Sequence, residues 1–151
     1  MTSKIEYSIE TVQWSDFLTP AVKKINEEIF KAILIDQQYL GKKINFELSV
    51  LLTGPENIRK LNKDFRCKDK TTDVLSFPNY NNFAEEYNKK LIKRNNYSLF
   101  LGDIAINFEG LKEGTKTYKT DFSSLFYHLF AHSLYHLIGF DHQTEQEAKK
   151  M

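Results

Sequence analysis

All four histidines of this 151-residue chain fall between residues 128 and 142. The segment around them has the apolar spacing of a helix from about Asp121 to Ile138, rich in leucine and phenylalanine. Polar rings on such a helix cost free energy unless they gain partners. A fold for this chain must therefore supply polar or metal partners to one histidine-bearing helix.

The spacing of three of these histidines predicts a metal site. His132 and His136 are four residues apart, so they project from one helix face about 6 Å apart along the axis and can share one ion. Gly139 allows a helix-ending turn that can return His142 as a third ligand. We expect these three to hold one Zn²⁺, or another divalent ion. Three neutral ligands leave a position open, which lowers the pKa of a coordinated water toward about 7.

Two residues next to the expected ligands, His128 and Asp141, each allow more than one interpretation. His128 lies one turn before His132, where a fourth ligand, a substrate contact and a support for a ligand are all possible. A closed site with four protein ligands would favour a structural zinc. Asp141 can orient a ligand or accept a proton, but an ordinary turn aspartate is the preferred interpretation.

The same histidine spacing occurs in metzincin peptidases, which makes a peptidase a remote alternative. Ser133 stands where that class has its general-base glutamate. The only methionine beyond the third histidine is Met151. Because a serine cannot serve as that base, a peptidase is disfavoured.

Composition bounds the remaining function classes. A hydrophobic content of 41% supports one ordinary domain over residues 1–151. The net charge of +1 excludes a global positive field, so contact with nucleic acid would need a local patch. One candidate patch is Arg59, Lys60, Lys63, Arg66, Lys68 and Lys70, for which a solvated helix face is the plainer interpretation.

We expect a cytoplasmic protein that has no membrane segment. Cys67 is the sole cysteine and cannot form an internal bridge, which fits a reducing compartment. No secretory leader is apparent, and the longest apolar stretch is interrupted by histidines.

Interleaved patterns predict an α/β or α+β fold with a small mixed sheet of about four strands covered by helices. Strands are expected at residues 4–10, 44–52, 73–77 and 98–107. A helix opens at Thr19-Pro20 and runs to about residue 39, ended by Gly41. Thr53 and Glu56 predict a capping box for a second helix ending near Arg66. A long loop with about one helical turn is expected over 79–97, and helices over 108–118, 121–138 and from about 143.

Several blocks of the sequence resemble the YbeY family, the bacterial zinc-dependent endoribonucleases of ribosomal RNA maturation. Residues 132–142, His-Ser-Leu-Tyr-His-Leu-Ile-Gly-Phe-Asp-His, are similar to the family signature His-Gly-x-Leu-His-Leu-x-Gly-Tyr-Asp-His. Ser133 departs from the usual glycine. The further blocks that resemble the family are Leu61-Asn62, Phe65-Arg66, Lys68-Asp69-Lys70, Thr72–Pro78, Leu101–Ile104 and Glu145–Met151.

The resemblance implies a single-strand-specific endoribonuclease that acts in maturation of the 3′ end of small-subunit ribosomal RNA and in ribosome biogenesis. It implies a metal on His132, His136 and His142, and an arginine, Arg66, that faces the substrate phosphate. Ribosomal RNA, the ribosomal subunit and its associated proteins are the implied partners. The nucleophile is open between a metal-activated hydroxide and the substrate's 2′-hydroxyl. Asp73, Ser76 and Asp103 are expected to be structural. The rival class is a non-catalytic, zinc-stabilised ribosome-assembly or RNA-binding factor.

Overall fold

A computed structural model describes residues 3–39, 44–92 and 97–140. Within these ranges the chain forms four strands and six helices. In chain order they are β1 (Ser3–Ile9), α1 (Val12–Phe17), α2 (Pro20–Asp36), β2 (Ile44–Thr53), α3 (Pro55–Arg66), β3 (Val74–Pro78), α4 (Phe83–Ile92), β4 (Tyr97–Asn107), α5 (Phe108–Thr117) and α6 (Phe122–Leu137).

The strands form one mixed sheet in the order β1-β2-β4-β3. The first three are parallel, and β3 runs antiparallel to β4, from Val74 opposite Ile106 to Pro78 opposite Gly102. The expected class, a small mixed sheet of four strands covered by helices, is therefore confirmed.

The two faces of the sheet carry cores of unequal size. Alternate residues of β2, such as Phe46 and Leu48, are buried in the larger core with residues of α2, α4 and α6. On the opposite face Ile58 of α3 packs with Leu75 and Ala105. Helices α3 and α6 thus lie on opposite sides of the sheet, with the edge strand β3 between them.

Helix α6 begins where the sequence predicts. The Asp121 carboxylate accepts a hydrogen bond from the Ser124 N–H at 2.7 Å, which caps the first turn and lowers the pKa of this carboxyl. One side of the helix is buried, and the histidines occupy a more open side. The buried residues are Leu125, Phe126, Phe130, Ser133, Leu134 and Leu137.

Helix α2 is capped by Thr19 as expected but ends earlier than predicted. It stops at Asp36, rather than near residue 39. Gln38 takes a left-handed conformation with φ of 64°, and the Tyr39 N–H bonds to the Leu34 carbonyl at 2.7 Å. The chain has therefore left the helix before Gly41, which lies outside the described residues.

The predicted capping box at Thr53 and Glu56 is wrong. Thr53 is the last residue of β2, and Gly54 occupies the N-cap position with Pro55 opening the helix. The Thr53 hydroxyl instead accepts a hydrogen bond from the Asn57 side chain at 3.3 Å. Proline at the first helical position is favoured because its missing N–H has no helical partner there.

The predicted loop over residues 79–97 contains a ten-residue helix, α4, rather than a single turn. Phe83 and Tyr87 are one turn apart and both buried. Their rings contact Tyr39 at centroid distances of 4.9 and 4.6 Å. These tertiary contacts stabilise a helix whose local sequence is polar.

Helix α1 was not predicted. Its Trp14 is fully buried and donates from Nε1 to the Thr53 carbonyl at 2.9 Å. The predicted terminal helix from about Gln143 lies outside the described residues. In the part of the chain that is described, no helix has both the length and the apolar character needed to cross a membrane.

Candidate active site

A cleft of about 530 Å³ lies between β3, the end of α3 and the C-terminal half of α6. It combines a cationic side chain, imidazoles and aromatic rings on one surface. Its walls are formed by Arg66, Val74, Leu75, Ser76, Pro78, Tyr80, Asn81, His132, Ser133, His136, Gly139 and Phe140. Two of the expected metal ligands and the expected phosphate-binding arginine therefore line one cavity.

His132 and His136 form a close pair on α6. Their Nε2 atoms are 3.0 Å apart, and their ring centroids are 4.6 Å apart with the ring planes at 77°. Both side chains are partly buried. Residues four apart on a helix share one face, so the predicted convergence of these two rings is confirmed.

The nitrogen spacing fits two ligands of one ion. Two nitrogens each about 2.1 Å from a tetrahedral zinc are about 3.4 Å apart, a few tenths of an ångström more than the spacing seen here. Among the described residues no group of three or more histidine, cysteine or carboxylate side chains is placed to hold a metal. His142, the third expected ligand, and Asp141 lie outside the described ranges.

Arg66 is the last residue of α3, and the next residue ends the helix because its backbone takes the left-handed conformation. Cys67 has φ of 58°, and its N–H bonds to the Lys63 carbonyl at 3.2 Å. The Arg66 Nη2 donates to the Ser76 carbonyl, and its guanidinium carbon lies 5.6 Å from the centroid of the Phe77 ring. These contacts with β3 direct an exposed arginine toward the cleft.

The loop between α3 and β3 is held by polar contacts. The buried Asn62 side chain donates to the Lys70 carbonyl at 2.9 Å. Arg59 pairs with Asp69 at 2.8 Å, and this hydrogen bond lowers the pKa of the Asp69 carboxyl. Within the predicted basic patch, Arg59 is thus engaged in an ion pair while Arg66 opens to the cleft.

The three residues expected to be structural lie in different surroundings. Ser76 contributes its carbonyl to Arg66 and lines the cleft. Asp103 is exposed on β4 and lines neither this cleft nor the second one described below. Asp73 is partly buried just before β3, where burial and then Glu113 raise the pKa of its carboxyl.

His128 lines a second cleft rather than the first. This cleft of about 480 Å³ lies beside the N-terminal half of α6. The ring centroid of His128 is 6.3 Å from that of His132, so the clefts are adjacent along the helix. The second cleft is lined by Asp73, Tyr118, Thr120, Ser124, Leu125, His128 and Leu129.

Several cleft residues were not predicted from the sequence. Tyr80, Asn81 and Phe140 carry no motif that would assign them to a site. Ser133 was noted only as a departure from the family glycine. It is fully buried, and its hydroxyl has no hydrogen-bond partner.

Comparison with known proteins agrees with the resemblance found in the sequence. The family model described as Endoribonuclease YbeY matches residues 8–151. Endoribonuclease YbeY of Pelagibacter ubique is 38% identical over 152 residues, covering 98% of this chain and 88% of that protein. The protein of the same name from a Thermoanaerobacter species is 37% identical over 132 residues, covering 86% of this chain and 80% of its own.

A solved structure supports the fold. The solution structure of TM1509 from Thermotoga maritima aligns with a TM-score of 0.57 at 23% identity, covering 97% of this chain and 85% of that one. At this identity the likeness concerns architecture alone. The match of the family model to nearly the whole chain, together with relatives above one-third identity, shows that this chain belongs to the Endoribonuclease YbeY family.

Proposed function

We propose that this protein is a zinc-dependent endoribonuclease that cuts unpaired RNA in the cytoplasm, with ribosomal RNA precursors, including the 3′ end of the small-subunit RNA, as its substrates. One observation carries the proposal. Arg66 from α3 and the His132–His136 pair from α6, on opposite sides of the sheet, open into the same cleft. A phosphate-binding cation beside a pair of metal-ligating imidazoles suits hydrolysis of a phosphodiester.

The imidazoles of His132, His136 and His142 would hold the zinc ion. The 3.0 Å spacing of the first two nitrogens and their partial burial support this assignment. A zinc ion bound there supplies Lewis-acid chemistry, which lowers the pKa of water and polarises phosphoryl oxygens.

Arg66 supplies the positive charge that a phosphodiester needs as negative charge grows on its oxygens. A guanidinium stays protonated at all physiological pH values and can donate two parallel hydrogen bonds to phosphate. The Ser76 carbonyl holds one of its nitrogens, which limits the rotamers of a long side chain. A donor that is already oriented stabilises developing charge without further ordering.

The aromatic lining of the cleft favours an unpaired strand. Tyr80 and Phe140 present aromatic rings on its walls. Splayed bases of single-stranded RNA stack on aromatic side chains, whereas bases inside a duplex are not available for such contacts. With a net charge of only +1, the chain depends on such local contacts and on the Arg66 guanidinium, which lines the cleft, to bind RNA.

The position of His128 favours an enzyme over a zinc-stabilised scaffold. A structural zinc would need four protein ligands, with His128 as the fourth. His128 is exposed and lines the second cleft. This arrangement supports a site that leaves one coordination position open.

The test is a matched pair of arginine variants on α3. Arg66→Ala is expected to keep its bound zinc and to cut an unstructured RNA about 100-fold more slowly, because one oriented donor for developing charge is lost. Arg59→Ala removes an arginine that pairs with Asp69 outside the cleft, and its cleavage rate is expected to match that of the native protein. Zinc content and cleavage are measured in parallel. Equal rates for both variants, or no cleavage by the native protein, would reject the proposal.

A further inference from the structure

The second cleft lies next to the first, beside the same strand and the same helix. On β3, Val74, Leu75 and Ser76 line the first cleft, and the preceding residue, Asp73, lines the second. On α6, His132 lines the first cleft, and His128, one turn earlier, lines the second. A strand whose phosphate lies at Arg66 and His132 therefore meets the second cleft within about one helical turn.

The walls of the second cleft match the faces and edge of a nucleobase. Leu125 and Leu129 provide apolar surface on one side. Tyr118 is 67% exposed and lines the cleft, so its aromatic ring is open to stack on a base. The volume of about 480 Å³ lies in the range of small-molecule pockets.

Asp73 supplies the polar recognition group of this cleft. Its carboxylate is partly buried and has no hydrogen-bond or ion-pair partner within the described ranges. Gly110 makes room for it, since a Cβ at that position would lie 2.6 Å from the Asp73 Oδ1. A partly buried carboxylate that accepts no hydrogen bond from the protein is stabilised when a ligand N–H group donates one to it.

We propose that the second cleft binds one unpaired base of the RNA strand next to the cleaved bond, with the Asp73 carboxylate accepting a hydrogen bond from an exocyclic amino group. The inference rests on the proposed RNA cleavage and adds a base preference to it. Adenine, cytosine and guanine carry an exocyclic amino group, and uracil carries none. Tyr118 stacks on the base, and the exposed His128 imidazole donates an N–H to the adjoining phosphate.

Cleavage of a matched set of oligonucleotides tests the preference. An unstructured RNA with one cleavage position is varied at each flanking nucleotide among the four bases. At one flanking position the native protein is expected to cut amino-bearing substrates about tenfold faster than the uracil substrate, the discrimination expected of one hydrogen bond to a charged acceptor. Asp73→Asn is expected to reduce that ratio severalfold, with unchanged zinc content. Asp103→Asn, a matched change on the neighbouring strand, is expected to leave the ratio intact. A ratio that is flat in the native protein, or intact in Asp73→Asn, overturns the proposal.

A binding measurement separates this inference from the proposed function. Cytidine and uridine 5′-monophosphates are titrated into the full-length protein, and backbone amide shifts are followed by NMR. Cytidine monophosphate is expected to shift residues 118–129 and to bind more tightly than uridine monophosphate, with the difference lost in Asp73→Asn and both affinities reduced in Tyr118→Ala. Such shifts without RNA cleavage would support the base site and reject the nuclease. Cleavage without base preference and without these shifts would support the nuclease and reject the base site.

Discussion

The Nε2 atoms of His132 and His136 lie 3.0 Å apart across one turn of α6, on the wall of the cleft into which Arg66 opens. The pair exists because residues four apart share a helix face. The pair faces the cleft because Leu134 and Leu137 are buried on the other side of the same helical turns. These two leucines fix the rotation of α6 about its axis relative to the core.

The first prediction concerns metal affinity. His132→Ala and His136→Ala are each expected to reduce zinc affinity by at least about 100-fold, because each removes a direct ligand. Loss of a residue that only hydrogen-bonds a metal ligand already reduces metal affinity by about 10- to 100-fold. His128→Ala, a matched change one turn earlier, is expected to keep native affinity. Competition with a chromogenic chelator measures all three. Native affinity in either of the first two variants would exclude that histidine as a ligand.

The second prediction concerns Gly102, which lies opposite Pro78 in the β3–β4 pair. Its φ is +139°, and a Cβ there would lie 2.2 Å from the Phe77 carbonyl oxygen. Gly102→Ala is expected to lower the free energy of unfolding by about 3 kcal/mol, because backbone atoms of β3 must move and the conformation itself is strained.

Urea denaturation measures this loss. Lys112→Ala, an exposed change on α5, is the control and is expected to stay within about 0.5 kcal/mol of the native protein. A Gly102→Ala protein of native stability would show that β3 can shift away from β4 freely.

The third prediction concerns pH and Asp73. Burial and then the charge of Glu113 raise the pKa of the Asp73 carboxyl in the folded state, so its ionised form opposes folding. This destabilisation of the folded protein begins at about pH 3.9, the pKa of the carboxyl in the unfolded chain. It grows until the pH exceeds the pKa of the folded state and is constant at higher pH. Asp73→Asn removes the charge and is expected to be more stable than the native protein at pH 7.

Urea denaturation at a series of pH values measures that difference. The stability advantage of Asp73→Asn is expected to shrink as pH falls toward 4, because the Asp73 carboxyl becomes increasingly protonated. An advantage that is equal at pH 7 and pH 4, or a variant that is less stable at pH 7, would contradict the assigned direction of the shift.

The fourth prediction concerns the Ser133 hydroxyl, which is buried without a hydrogen-bond partner. Ser133→Ala is expected to raise the free energy of unfolding by about 1 kcal/mol, because an unsatisfied polar atom leaves the interior and alanine favours the helix. Ser123→Ala, an exposed change on the same helix, serves as the control in thermal or urea unfolding. A loss of stability in Ser133→Ala would show that the hydroxyl has a partner in solution.

Local patterns predicted the parts of this molecule whose causes are local. The alternation of Ile5 and Tyr7, the Thr19 cap and the i,i+4 histidines each depend on neighbours in sequence, and the strands, α2 and the histidine pair follow from them. The family resemblance added Arg66, whose place beside the histidines no spacing could predict.

Contacts between distant residues explain what the sequence did not reveal. Helix α4 is stabilised by Phe83 and Tyr87 against Tyr39, about 45 residues away in the chain, within a segment that is locally polar. Helix α1 depends on the bond from Trp14 to Thr53. The second cleft brings Asp73 to residues 118–129, so no local pattern encodes it. The placement of His142 remains a prediction, since it lies outside the described residues.

Zinc titration of the metal-stripped, full-length protein tests the central claim most directly, with RNA cleavage and bound zinc measured at every point. We predict that the stripped protein does not cut an unstructured RNA, and that cleavage rises in proportion to bound zinc and saturates at one ion per chain. Full cleavage without a divalent ion, or one tightly bound zinc with no cleavage, would contradict the account.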